Sequence, residues 1–147
     1  MQKHIDLHLH TCFSDGIYTP EQVAIAAKEM NLSAISLTDH DTIEGCLHLS
    51  KACNKRGIEF VNGTELSVDI DGNEMHLLGY FLDVNNKKLI KETSEYQQNR
   101  INRINELVDQ LNKIGVNLEA KKVFELANCK APGRPHLARA LVKYGFC

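Results

Sequence analysis

The amino-acid sequence predicts an α/β fold built on a parallel sheet. In the first half of the 147-residue chain, strand patterns alternate with helix patterns. Strands that alternate with helices usually pair in parallel, because each helix carries the chain back across the sheet. Residues 87–147 carry helical patterns instead, so we expect helices to follow the sheet.

The first three elements are predicted from periodicity and helix capping. "HIDLHLH" at residues 4–10 alternates with period two, which is typical of a strand. Thr19, Pro20 and Gln22 predict the start of a helix, because they combine a capping box with proline in the first turn. "SAISLT" at residues 33–38 is a short apolar segment, as expected of a buried parallel strand.

The remaining elements are a helix, a strand that turns into a hairpin, and three further helices. The hairpin is predicted from the Asp-Gly turn in "DIDGNEM". We place these elements at residues 43–56, 58–81, 87–114, 119–128 and 136–144.

The composition is that of a globular protein. Hydrophobic residues make up 43% of the chain and charged residues 24%. No apolar run approaches the ~20 residues of a membrane span, and the N-terminus lacks the apolar region of a secretory signal. Five scattered cysteines favour free thiols over a disulfide framework. We therefore expect a cytoplasmic protein with no membrane partner.

Charge is distributed unevenly along the chain. Residues 1–82 carry a net charge of −7, whereas residues 83–147 carry +5. An acidic half could collect cations, and a basic half could attract an anionic substrate. The alternative is that the helices merely expose solvated lysines and arginines, and the sequence leaves both explanations open.

Histidines and carboxylates cluster at or just after the ends of the predicted strands. His8 and His10 lie two residues apart on one strand, so their side chains leave the same face about 6.5–7 Å apart. Later strand ends add further candidates: Asp15, Asp39, His40, Asp41, Glu65 and His76. The carboxyl edge of a parallel sheet is where α/β proteins build their sites.

Each candidate also has a structural explanation when taken alone. A histidine pair on one strand arises by chance, and Asp41 could cap a helix. Glu65 could form a salt bridge, and His76 could be a core residue. One polar cluster at each successive strand end is much harder to explain without a metal.

The donor types indicate which metals are expected. Imidazoles and carboxylates without a thiolate favour manganese, zinc or iron in an open catalytic centre. Several carboxylates among histidines further predict more than one ion, because a carboxylate can bridge two metals. Such clusters activate water for attack at a phosphoryl or acyl group.

Four segments resemble successive motifs of the PHP (polymerase and histidinol phosphatase) family of metal-dependent phosphoesterases. They are "HIDLHLHTCFSDGIYTPEQV", "ISLTDHDTIEG", "GTELS" and "HLLGYFLD". "APGRPHLARALV" at residues 131–142 resembles a segment of the small stand-alone branch of that family. The resemblance implies the N-terminal portion of a distorted (β/α)7 TIM-like barrel at residues 1–83 and an all-helical insertion at residues 84–147.

The same resemblance implies two or three divalent metals and a set of residues that hold them. The first metal would be held by His8, His10 and Glu65, the second by Glu65 and His76, and the third by Asp15 and His40. Arg134 and His136 would contact the substrate phosphate, although Arg134 could also be a plain surface residue beside Pro135. Asp39 and Asp41 would orient His40 or its loop. No residue is assigned as the catalytic acid.

The sequence departs from the family pattern in the ligands that the later part of the chain would supply. The family adds a histidine after a later strand and an Asp-x-His pair, but no histidine follows His136 here. We therefore expect the chain to be part of a longer protein, with doubtful activity alone. An incomplete barrel would expose apolar sheet, so self-association through that surface is also expected.

The resemblance implies hydrolysis of phosphate esters of nucleotides or oligonucleotides, by a bisphosphate phosphatase or an exonuclease. A histidinol-phosphatase-like enzyme and a non-catalytic metal-binding module are the alternatives. An amide-hydrolysing metalloenzyme often uses a bridging lysine, and it is disfavoured because Lys28, Lys51 and Lys55 lie in predicted helices.

Overall fold

The structure is a computed structural model that describes residues 3–147. Its sheet contains β1 (His4–Leu9), β2 (Leu32–Leu37), β3 (Glu59–Ile70) and β4 (Asn73–Tyr80). Five helices lie within the described residues: α1 (Pro20–Glu29), α2 (Cys46–Asn54), α3 (Lys87–Lys113), α4 (Ala120–Ala127) and α5 (Arg134–Lys143). The predicted α/β class is confirmed.

The helix starts follow from local capping. At α1, Gln22 N–H donates to Thr19 Oγ1 at 3.3 Å and Thr19 N–H donates to Gln22 Oε1 at 2.8 Å, which is the predicted capping box. Helix α5 begins at Arg134, two residues before the predicted start. The difference arises because Pro135 lies in the first turn, where its missing N–H and fixed φ are tolerated.

The sheet has the strand order β1-β2-β3-β4 and is curled into half a barrel. The first two pairings are parallel, and β3 pairs with β4 as an antiparallel hairpin. Residues 59–62 of β3 pair with β2, whereas residues 63–70 pair with β4. The Tyr80 hydroxyl donates to the Leu7 carbonyl at 2.9 Å, although β1 and β4 are at opposite ends of the strand order. Strong curvature explains this contact.

Two hydrophobic cores support the sheet and the later helices. In the first, α1 and α2 cover β2 through buried residues such as Val23, Ile35 and Leu49. The second lies among α3, α4 and α5 and includes Ile104 and Val123. The predicted division of the chain at residues 83 and 84 remains a prediction.

Apolar side chains are also exposed on the outer strands of the sheet. Ile5 and Leu7 on β1, and Met75 and Leu77 on β4, are each at least one-third exposed. Self-association through these strands remains a prediction. None of the helices within residues 3–147 is long and apolar enough to cross a membrane.

Candidate metal centre

The structure brings the six predicted metal ligands together. They form three overlapping groups, namely His8, His10 and Glu65; His10, Asp15 and His40; and His40, Glu65 and His76. Within each group the ligand atoms all lie within 4.8 Å of one another. His10, His40 and Glu65 each belong to two groups, so the groups adjoin, and the two oxygens of the Glu65 carboxylate could each bind a different ion.

Glu65 lies at the centre of the cluster. Its Oε2 atom is 2.9 Å from His8 Nε2, 3.2 Å from His10 Nε2 and 3.7 Å from His40 Nδ1. Its other oxygen, Oε1, is 2.7 Å from His76 Nδ1. The residue is only 4% exposed, so one buried carboxylate faces four imidazoles.

Two imidazole nitrogens of the cluster have no hydrogen-bond partner among the described residues. They are the buried Nδ1 atoms of His10 and His40. The nearest carboxylate oxygens lie 3.5 Å from His10 Nδ1, on Asp15, and 3.7 Å from His40 Nδ1, on Glu65. An unpaired buried polar atom is unfavourable. Two buried nitrogens that face carboxylates without a hydrogen bond fit divalent cations of the manganese, zinc or iron type.

Backbone pairing beyond the end of β2 places His40 beside Glu65. Glu65 N–H donates to the Asp39 carbonyl at 3.2 Å, and Asp41 N–H donates to the Glu65 carbonyl at 2.9 Å. These bonds form an isolated parallel bridge between His40 and Glu65. Both ligands therefore sit at the carboxyl edge of the sheet, as predicted.

Asp39 holds the loop that follows β1. Its carboxylate accepts hydrogen bonds from Thr11 N–H at 2.7 Å, from Thr11 Oγ1 at 2.5 Å and from Ser14 Oγ at 2.6 Å. Burial raises the pKa of Asp39, although these hydrogen bonds oppose the shift. The same loop carries Asp15, so the contacts favour a role in orienting the loop.

Asp41 attaches the helical region to the sheet. Its carboxylate accepts from Ser67 N–H and Ser67 Oγ, both at 2.8 Å, and forms an ion pair with Arg100 Nε. Gln97 Nε2 also donates to the Asp41 carbonyl at 3.3 Å. These contacts position the loop after β2, which carries His40, against α3.

The protonation states suit cation binding. Burial lowers the pKa of His10, and the neighbouring His40 lowers it further. The His40 imidazole, whose Nε2 atom lies 3.6 Å from Asp15 Oδ2, holds the pKa of Asp15 well below its usual range. Burial alone would raise the pKa of Glu65, but the hydrogen bond from His8 and the charges of the nearby histidines lower it. Near neutral pH the carboxylates are therefore ionised and His10 is neutral, which are the forms that bind metals.

The two predicted phosphate contacts are placed differently. Arg134 is exposed and lines a cavity of about 170 Å³ together with Asp15, His40 and His76. His136 is 3% exposed, and its Nδ1 accepts a hydrogen bond from Gly133 N–H at 3.0 Å. Burial lowers the pKa of His136. These contacts favour a neutral His136 that caps α5, and its role toward phosphate remains a prediction.

Sequence reasoning missed two charged residues beside the cluster. Arg103 Nη1 lies 2.6 Å from Glu74 Oε1, and Arg103 Nη2 lies 2.5 Å from Glu74 Oε2. Glu74 could have been found, because it precedes His76 by two residues on β4 and so shares its face. Arg103 follows Arg100 by one helical turn in the basic half of the chain, which is a weaker signal.

A comparison with models of protein families identifies the family of this chain. The model described as the PHP domain matches residues 6–134, which include all six candidate ligands and Arg134. The chain belongs to the PHP family.

Individual relatives agree with this assignment. The chain is 32% identical to a 5′-3′ exoribonuclease of Haemophilus influenzae, over 99% of the chain and 53% of the relative. It is 33% identical to a 3′,5′-nucleoside bisphosphate phosphatase of Chromobacterium violaceum, over 96% of the chain and 50% of the relative. This PHP chain therefore spans about half the length of the curated relatives it matches.

A solved structure supports the fold. A Chromobacterium violaceum protein described as an amidohydrolase with bound sulfate and no metal superposes with a TM-score of 0.88 at 30% identity. The match covers 97% of the PHP chain and 51% of the solved one. The predicted family and the predicted barrel portion are confirmed.

Gly16 provides a test of how the Asp15 loop is held. A Cβ atom at this position would lie 2.6 Å from the His10 carbonyl oxygen and 2.8 Å from Thr11 N, so the backbone would have to move. Gly16→Ala is expected to lower metal affinity about tenfold, the size seen when support for a ligand is lost. Isothermal titration with manganese measures this. Gly79→Ala is the matched control, since its Cβ atom would meet only ordinary contacts at 3.7 Å or more. Equal affinities in the two variants would contradict the expectation.

Proposed function

We propose that this PHP protein hydrolyses phosphate esters of nucleotides or oligonucleotides with the help of two or three divalent metals. The observation that carries the proposal is the buried Glu65 carboxylate, which faces four imidazoles in three overlapping ligand groups. When bound, such metals polarise the phosphate and lower the pKa of water. The relatives named as a ribonuclease and a bisphosphate phosphatase support a nucleotide-type substrate.

The chain's own residues would divide this work. His8, His10 and Glu65 would hold a first metal, Glu65 and His76 a second, and Asp15 and His40 a third. The sharing of His10 and His40 between neighbouring groups supports an ion cluster rather than separate sites. Arg134 would bind a phosphate oxygen from the cavity wall, because a guanidinium suits phosphate geometry. Asp39 would keep Asp15 in place through Thr11 and Ser14.

The first test combines metal analysis with an activity assay. The purified protein is expected to retain metal and, with added manganese, to release phosphate from adenosine 3′,5′-bisphosphate. A chelator should abolish the release, and manganese should restore it. His8→Asn should lose bound metal, whereas His4→Asn should not, because His4 is exposed on the same strand and belongs to none of the three groups.

The possible outcomes separate the parts of the proposal. Metal without turnover would support the non-catalytic module instead of the phosphoesterase. Failure to bind any metal would contradict the ligand assignment itself.

A further inference from the structure

Three guanidinium N–H groups converge on one carboxylate at the mouth of the metal centre. Arg103 approaches Glu74 with both terminal nitrogens, at 2.6 and 2.5 Å. Arg134 Nη1 approaches Glu74 Oε2 at 3.0 Å. All three residues line the cavity of about 170 Å³ that also reaches Asp15 and His40. Two cations therefore share a single anion, so one positive charge is left unbalanced within this group of three side chains.

This arrangement suits an exchangeable anion. The side chains of Arg103, Arg134 and Glu74 are 35%, 62% and 30% exposed, so water reaches the group. Exposed ion pairs add little to stability, and their exchange for another anion is correspondingly easy. A phosphate group offers more terminal oxygens than a carboxylate and up to twice its charge. Arginine forks bind both anions in the same bidentate manner.

The position of the Glu74 carboxylate relative to the metal ligands indicates which phosphate group of a substrate the two arginines would bind. His76 lies between the two carboxylates, with Nδ1 2.7 Å from Glu65 Oε1 and Nε2 3.8 Å from Glu74 Oε1. An anion in the position of Glu74 is thus separated from Glu65 by the width of an imidazole ring. It lies beside the metal centre rather than within it, where the phosphate undergoing hydrolysis must sit.

We propose that Arg103 and Arg134 form a binding site for a second phosphate group of the substrate, and that Glu74 is the built-in anion which this phosphate displaces. The inference rests on the proposed function and narrows it to substrates with at least two neighbouring phosphates. Nucleoside bisphosphates and phosphorylated oligonucleotides share this chemistry. Glu74 keeps the arginines paired and correctly oriented until such a substrate arrives.

Calorimetric titration with adenosine 3′,5′-bisphosphate in the presence of a chelator tests the proposal without metals. Glu74→Gln should bind the nucleotide about two- to fivefold more tightly than the unaltered protein, because the competing charge is gone. Arg103→Ala should bind it at least about tenfold more weakly, the usual effect of losing a charged hydrogen bond. Arg103→Lys should also bind weakly, since an ammonium group cannot form the fork.

A matched control excludes a general charge effect. Glu21 and Arg56 form a comparable ion pair at 2.6 Å between α1 and the turn that follows α2, and neither lines the cavity. Glu21→Gln should leave nucleotide affinity unchanged. Equal tightening in this control, or unchanged or weaker binding in Glu74→Gln, would overturn the proposal.

Two further features keep the result interpretable. Circular dichroism shows whether Glu74→Gln folds. If it does not fold, the nucleotide affinities of Arg103→Ala and Arg103→Lys test the proposal instead. Unchanged affinity in both variants would overturn the proposal. The chelated protein cannot catalyse metal-dependent hydrolysis, so the binding test is independent of turnover. Tighter binding by Glu74→Gln, together with no turnover by the unaltered protein under manganese, would reject the proposed function and leave the second-phosphate site standing.

Discussion

Replacing Glu65 by glutamine is expected to reduce metal affinity by more than about 100-fold, with a parallel loss of any metal-dependent hydrolysis. Outer partners of metal ligands already contribute 10- to 100-fold, so removing a ligand should exceed that range. Glu65 belongs to two of the three ligand groups, and its two oxygens approach four histidines. The substitution keeps the shape of the side chain and removes the charge that would balance the cations.

The measurement is the metal content after dialysis, followed by titration with manganese. Glu59→Gln is a matched control, because Glu59 is exposed on the same strand and far from the carboxyl edge. Circular dichroism should show that both variants are folded. Retention of normal metal content by Glu65→Gln would show that Glu65 is a structural carboxylate paired with histidines.

Replacing Arg100 by alanine is expected to lower the free energy of unfolding by about 3–5 kcal/mol. Asp41 is 1% exposed and Arg100 8% exposed, so the substitution leaves a buried carboxylate without its cation. It also removes the hydrogen bond from Arg100 Nη2 to Ser67 Oγ at 2.8 Å. A loss of this size corresponds to a fall in Tm of about 10–15 °C for a chain of this length.

Thermal or urea unfolding of the chelated protein measures this effect apart from metal binding. Lys91→Ala is the control, because its ion pair with Glu95 is exposed and should contribute less than about 1 kcal/mol. Removing both buried charges, as in Arg100→Met with Asp41→Asn, should recover part of the loss, since no unpaired charge then remains. Similar stabilities of the Arg100→Ala and Lys91→Ala variants would contradict the expectation.

The features predicted best from the sequence are those set by neighbouring residues. Period two placed His8 and His10 on one face of a strand, and the capping box placed the start of α1. The curvature of the sheet is harder to predict from the sequence. It depends on β3 pairing with β2 along its first part and with β4 along the rest, and local periodicity does not encode these pairings. The early start of α5 shows how a proline can extend a helix at its N-terminus rather than end it.

The parts of the site that escaped prediction depend on contacts between distant segments. The partners of Asp41 include Ser67 and Arg100, which lie 26 and 59 residues away along the chain. Similarly, Arg103 and Glu74 are 29 residues apart and belong to different elements. Side-chain pairing over such separations is decided by how the helices pack on the sheet, which no local periodicity encodes.

The Asp41 contacts have a consequence for how the molecule unfolds. Asp41 follows His40 directly, and its carboxylate and carbonyl are bonded to Arg100 and Gln97 of α3. Detaching α3 would thus expose a buried charge and release the loop that carries a candidate metal ligand. The two hydrophobic cores are therefore coupled through a polar contact, and they should melt as one cooperative unit rather than in separate steps.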